Sequence, residues 1–157
     1  MENFFKVALV GLDSQTVPDS VVTGLAEQRI NLVVHECEDR EELARWAGDA
    51  DVVWVFGSCR CLHGQMSPEE LSILPKCGAI IRSGSGTDNV PVKAATKLGI
   101  VVANTPDALN DAVSDHAIGL IFAVIRQIAL QDRNVRNRIW DRARGLPNWH
   151  LTGQTLG

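Results

Sequence analysis

Two kinds of segment alternate along the first hundred residues, and that alternation limits the fold more than any other feature. Five short aliphatic and β-branched runs, Lys6 to Leu12, Asn31 to His35, Asp51 to Phe56, Ala79 to Arg82 and Ile100 to Ala103, read as buried strands. Four helical stretches separate them: Pro18 to Arg29, Arg40 to Ala47, Ser67 to Leu74 and Pro91 to Leu98. Local signals agree with these boundaries. Ser67, Pro68 and Glu70 form a capping box with proline at the first helical position, and Gly99 stands where a helix ends on glycine. Strand, helix and strand at this spacing close as parallel pairs with right-handed crossovers. The expected fold class is therefore α/β, a doubly wound parallel sheet of about five strands with helices on both faces. Ligands of such sheets sit beyond the carboxyl ends of the strands.

The pattern changes after Ala103. Asn104-Thr105-Pro106-Asp107 breaks the chain, and a long helix is expected from Asp111 to Leu130. Its middle, Ala117 to Ile125, is apolar on every side, so it is expected to be buried between domains or subunits. A second amphipathic segment, Asp132 to Ala143, sets Val135, Ile139 and Trp140 along one stripe. Gly145 to Asn148 reads as a linker, and Gln154 to Gly157 as a strand being entered.

With 157 residues, 45% of them hydrophobic, the chain can bury one core with an appendage. A formal charge of -4 gives no general attraction to nucleic acid or to an anionic membrane, which leaves a small molecule or another protein as partner. Six arginines between Arg126 and Arg144 are interleaved with Asp132 and Asp141, the pattern of a solvated helix face. Ala117 to Ile125 falls far short of the roughly 18 apolar residues of a membrane span, and a cytoplasmic protein is expected. Cys37, Cys59, Cys61 and Cys77 are too irregularly spaced for a disulfide framework and read as reduced thiols. His35, His63, His116 and His150 offer no spacing suited to a metal, so none is expected.

Three segments could carry chemistry, and each follows a strand. In Arg82-Ser83-Gly84-Ser85-Gly86-Thr87-Asp88-Asn89 two glycines flank a serine, letting the backbone approach a ligand and aim successive N–H groups at a carboxylate or phosphate. Asn89 occupies the third glycine position of a dinucleotide fingerprint, and no ribose-binding acid ends the next strand. Asn104-Thr105-Pro106 lies at another strand exit, where a plain Asx-type turn is the competing explanation. In Gly57-Ser58-Cys59-Arg60 the planar fork of Arg60 could pair with a substrate carboxylate.

Taken in order, IIRSGSGTDNV, KAATKLGIVVANTPDALNDAVSDHAIGLIFAVIRQI and HLTGQTLG resemble the D-isomer-specific 2-hydroxyacid dehydrogenases, phosphoglycerate dehydrogenase-like members in particular. The resemblance covers Ile80 to Gly157 at motif level, and the strand and helix order before it agrees with the family's flavodoxin-like domain. It implies residues 1–104 as the substrate-binding catalytic domain, 105–150 as interdomain and dimerisation helices, and 151–157 as the start of a Rossmann domain binding NAD or NADP. The implied reaction moves hydride between the nicotinamide and a D-2-hydroxy or 2-oxo acid. Gly84, Ser85 and Gly86 match the loop that holds the substrate carboxylate, with Ser85 also near the nicotinamide. Asn104 matches a position facing the cleft, and the helix of residues 111–130 matches the one that forms a homodimer. Members often carry arginine directly before the serine after the third strand. Gly57 holds that position here and Arg60 lies further on, one anion contact fewer. The family's catalytic residues are expected beyond Gly157, so no catalytic residue is assigned and the 157 residues alone are expected to be inactive. The alternative from another class is a stand-alone flavodoxin-like module that binds a small anion or dimerises without catalysis.

Overall fold

The computed structural model describes residues 4–57, 65–141 and 149–156. They form two compact units, residues 1–108 and residues 109–157.

The first unit is built on five parallel strands: β1 (Phe5–Val10), β2 (Ile30–His35), β3 (Val52–Phe56), β4 (Ala79–Ser83) and β5 (Val101–Asn104). Their order is β2-β1-β3-β4-β5, the flavodoxin-like order, with the reversal of direction between β1 and β3. Connections run through α1 (Asp19–Glu27), α2 (Arg40–Ala47), the single turn α3 (Pro68–Leu71) and α4 (Val92–Lys97).

Alternation along the strands sorts the core. Ala8, Val53, Ile80 and Val102 are register partners across one face, and Leu43 and Ala47 of α2, Leu71 of α3 and Ala95 of α4 complete the apolar cluster there. Val10, Val55, Arg82 and Asn104 form the next row towards the carboxyl edge. Two buried valines are thus followed along that row by a cation and an amide. The opposite face is covered less completely: Val7, Leu9 and Val52 are buried, whereas Val101 is 64% exposed and α1 contributes no buried residue.

The helix ends follow the local chemistry. The Ser67 amide donates to the Glu70 carboxylate (2.6 Å) with Pro68 opening α3. At the end of α4, Gly99 takes φ +76°, its N–H donates to Thr96 O (3.1 Å), and Ile100 N–H donates to Ala95 O (2.9 Å). That double return is a Schellman closure, and it delivers buried Ile100 against Ala95 at the entry of β5.

The second unit departs from the sequence expectation in four respects. The helix expected from Asp111 to Leu130 is two helices, α5 (Asn110–Ile125) and α6 (Ile128–Arg136), bent by 62° where Gln127 adopts φ +51°. One left-handed residue cannot continue the right-handed hydrogen-bond ladder, so the axis turns there. Of the amphipathic segment expected from Asp132 to Ala143, the described residues are helical to Arg136, and Arg138, two residues on, turns to φ +56°; residues 142–143, like the linker expected from Gly145 to Asn148, lie outside the described residues. Gln154 to Leu156 is not a strand, having no neighbouring strand to pair with among the described residues. Finally, α5 buries none of its residues fully; Ile121, Ala123 and Ile125 are half-buried and the rest are exposed. No single helix among the described residues is long and apolar enough to cross a membrane.

Candidate functional site

Parallel pairing brings the exits of β3, β4 and β5 to one edge of the sheet, and a network of hydrogen bonds ties the three exits together. The loop after β4 is its centre. Gly84 is buried, with φ +117°, a conformation reserved for glycine, while Ser85 and Gly86 are exposed. A Cβ at Gly84 would lie 1.8 Å from the Arg82 guanidinium, which therefore passes directly over the glycine backbone. The Arg82 Nε is out of contact with solvent and has no hydrogen-bond partner among the described residues.

The β5 exit clamps this loop. Gly84 N–H donates to Thr105 Oγ1 (2.7 Å), Thr105 N–H donates to Gly84 O (3.1 Å), and Asn104 Nδ2 donates to Ser85 O (2.7 Å). On the other flank Asn89 Nδ2 donates to Gly57 O at the β3 exit (3.2 Å), Gln65 Nε2 donates to Asp88 O (3.1 Å), and Met66 N–H donates to Asn89 O (2.8 Å). The Trp54 indole N–H donates to Ser83 Oγ (2.7 Å), fixing the last residue of β4.

These bonds give the loop a polarity. The carbonyls of Gly84, Ser85, Thr87, Asp88 and Asn89 all accept a hydrogen bond, from Thr105, Asn104, Val90, Gln65 and Met66 in turn. The N–H groups of Ser85 and Gly86 have no acceptor among the described residues. A turn with its negative ends satisfied and its positive ends open suits an anion. One carboxylate opposes this: Asp88 Oδ2 lies 3.5 Å from where a Gly86 Cβ would be.

The structure brings Gly84, Ser85, Gly86 and Asn104 together, but Gly84 differs from its expected part. Its amide is committed to Thr105, so the open donors are those of Ser85 and Gly86. Arg60 lies outside the described residues. Arg82 and Thr105 are the members that sequence reasoning missed. Arg82 could have been found as a cation in register with Val55 at a strand's end, whereas Thr105 depends on a pairing across 21 residues that no local pattern reveals.

Among the described residues no three histidine, cysteine, aspartate or glutamate side chains converge to hold a metal. The loop does not fit a dinucleotide pyrophosphate either. Asn89, at the third glycine position, is tied to Gly57, and β5 ends on Asn104 where a ribose-binding acid would stand.

Known proteins resemble this chain in sequence and in fold. Residues 10–155 match the model of the D-isomer specific 2-hydroxyacid dehydrogenase, catalytic domain. A glyoxylate reductase from Thermofilum pendens is 34% identical over 134 residues, covering 81% of this chain and 38% of that protein. A D-3-phosphoglycerate dehydrogenase from Mycobacterium leprae is 31% identical over 148 residues, covering 94% of this chain and 27% of that protein. Among solved structures, a D-lactate dehydrogenase from Aquifex aeolicus, complexed with NAD and lactic acid, superposes with a TM-score of 0.76 at 16% identity, over 92% of this chain and 41% of that one. The chain thus spans well under half the length of these relatives. A family match across nearly the whole sequence, on a sheet of flavodoxin-like order, shows that the chain belongs to the D-isomer specific 2-hydroxyacid dehydrogenase family, in its catalytic domain.

Proposed function

We propose that this chain is the substrate-side part of an NAD(P)-dependent oxidoreductase that interconverts a D-2-hydroxy acid and a 2-oxo acid. One observation carries the reading: the loop after β4 has open amides at Ser85 and Gly86, engaged carbonyls around them, and the Arg82 guanidinium over Gly84. The substrate carboxylate takes the two amide protons, and Arg82 supplies the positive charge. The Nη1 end of that guanidinium lies over Gly84 and is the part placed to meet an anion, while its Nε is sealed from solvent. Asn104 holds the Ser85 carbonyl, and the exposed Ser85, by its match to the family's loop, would lie near the nicotinamide end of a bound cofactor. The nicotinamide supplies hydride chemistry when bound, and protein outside these 157 residues holds most of it. No residue here is assigned proton transfer. The relatives' names support the class of acid, glyoxylate or phosphoglycerate in two of them.

We also read α5 as a homodimer surface. It exposes Val113, Ile118, Leu120, Phe122 and Val124, Val124 to 74%. An apolar surface of this kind is an association site in water.

Two experiments test the reading. Titration of the isotope-labelled chain with glyoxylate, hydroxypyruvate or pyruvate should move the Ser85 and Gly86 amide resonances, and neutral glycolaldehyde should not. No shift up to about 50 mM would remove the anion site, since binding weaker than millimolar is too slight to serve a metabolite. The complete reading frame that contains this sequence should oxidise NADH or NADPH with one of a broad panel of 2-oxo acids. Anion binding without turnover would favour a non-catalytic binding module instead.

A further inference from the structure

Gly84 is held by one residue on both of its polar atoms. Its N–H meets the Thr105 hydroxyl at 2.7 Å and its carbonyl meets the Thr105 amide at 3.1 Å. The second bond joins two backbone atoms just past the β4–β5 ladder, whose last register pair is Arg82 with Asn104; it is two residues out of step with that ladder, in which Val101 N–H meets Gly78 O. The first is different, because it requires a side-chain oxygen on the residue after the strand. Gly84 is buried, so without that hydroxyl its amide would have neither water nor a carbonyl to bond, and the peptide would rotate to find an acceptor. The Ser85 N–H shares a peptide plane with the Gly84 carbonyl, so a rotation of the Gly84 amide strains the φ and ψ of Gly84 against the one bond, from the Thr105 N–H, that still holds that plane.

We propose that Thr105 is a positioning residue for the anion loop: its hydroxyl absorbs the one amide of the glycine turn that must stay out of the site, and so fixes the aim of the other two. The proposal deepens the carboxylate-binding reading of this loop and rests on it for its ligand, but its geometry stands apart from any ligand. The hydroxyl also sets a chemical requirement. Serine can replace threonine, because the acceptor is the oxygen. Valine cannot, although it keeps the volume and the β-branch that suits a strand end.

The test uses the full 157-residue chain with Thr105→Val and Thr105→Ser, and glyoxylate as the probe. In the ligand-free chain the Gly84 amide should be protected from hydrogen exchange; Thr105→Val should speed its exchange at least about tenfold, and Thr105→Ser should leave it within about twofold. With glyoxylate, Thr105→Val should weaken binding about five- to tenfold, as expected for loss of one hydrogen bond's alignment, and Thr105→Ser should restore it. A merely structural role would not discriminate the two variants at equal melting temperature. Unchanged Gly84 exchange in Thr105→Val, or unchanged glyoxylate affinity with that amide deprotected, overturns the positioning role. If the wild-type chain fails to bind glyoxylate, the carboxylate reading fails, and Gly84 exchange then decides the geometric claim alone. Should Thr105→Val not fold, Thr105→Ser that folds yet leaves Gly84 unprotected overturns the proposal equally.

Discussion

Replacing Gly84 with alanine probes the loop at its most constrained atom, and the structure allows its cost to be worked out. At φ +117° an L side chain is strained, which costs about 1–3 kcal/mol for a residue held by its surroundings. Thr105 holds both polar backbone atoms of Gly84, so the strain cannot be relieved by a small backbone shift. The new methyl would also meet the Arg82 guanidinium at 1.8 Å, but that obstacle is the end of a flexible side chain and can swing away. Its displacement costs little stability and removes the charge from the loop. The expected result is a loss of about 1–3 kcal/mol, or roughly 5–20 °C in melting temperature for a unit of this size, with anion binding lost even where the variant is folded. Gly86→Ala is the control. Its φ is not in the left-handed region and the nearest obstacle to its Cβ is Asp88 Oδ2 at 3.5 Å, so it should be neutral or slightly stabilising, by up to about 1 kcal/mol. Differential scanning calorimetry of the two variants, with Arg82→Ala introduced into each, separates strain from displacement. A Gly84→Ala chain melting with wild type, in either background, would refute the left-handed turn and with it the aimed amides.

Other positions give independent checks. Asp88→Asn removes the one carboxylate beside the open amides; because Asp88 is exposed, glyoxylate binding should tighten only a few-fold at low salt, and the gain should fade in about 1 M salt, as isothermal titration can read. Burial raises the Cys77 thiol above its ordinary 9.0, so native Cys77 should resist alkylation at pH 8 as judged by peptide mass spectrometry. The neutral thiol is favoured in the folded state, so its contribution is intact below about pH 9 and is lost as pH rises through the elevated value; urea melts at rising pH should show stability falling in that window and recovering in Cys77→Ala. Phe122→Glu on the exposed face of α5 should convert a dimer to a monomer in light scattering without altering the melting of the first unit, and an unchanged mass would remove α5 from the interface.

The strands and the helices between them were legible because burial imposes its own period. Val53 and Val55 point to one face and Trp54 to the other, and that alternation is visible in the letters. Gly99 was legible for a similar reason: its role depends only on the five residues before it. The break between α5 and α6 was not. Gln127 carries no steric signal for a left-handed backbone, and the apolar run on one side continues into Ile128 and Leu130 on the other. The glycines of the loop after β4 marked it as a candidate for an anion, yet which of its amides stay open was not legible. Which N–H stays open depends on Thr105 and Asn104, and these arrive beside Gly84 and Ser85 only after β5 has paired with β4.

That dependence bears on how one scaffold can serve different acids. Every bond that gives the loop its polarity comes from a neighbouring strand exit or from the segment that leads into α3 and α4: Thr105 and Asn104 from β5, Gln65 and Met66 from the start of α3, Val90 before α4. On the proposed reading the recognising atoms are backbone amides, which are the same for any sequence and would commit the site only to an anion. Discrimination among acids must then fall on side chains at the rim. Arg82 is the described cation at that loop, and Gly57 leaves the β3 exit without one at the position directly after Phe56. A substrate with a second anionic group would need a further positive partner on the β3 side, whereas a small monocarboxylate such as glyoxylate needs only the two amides and Arg82.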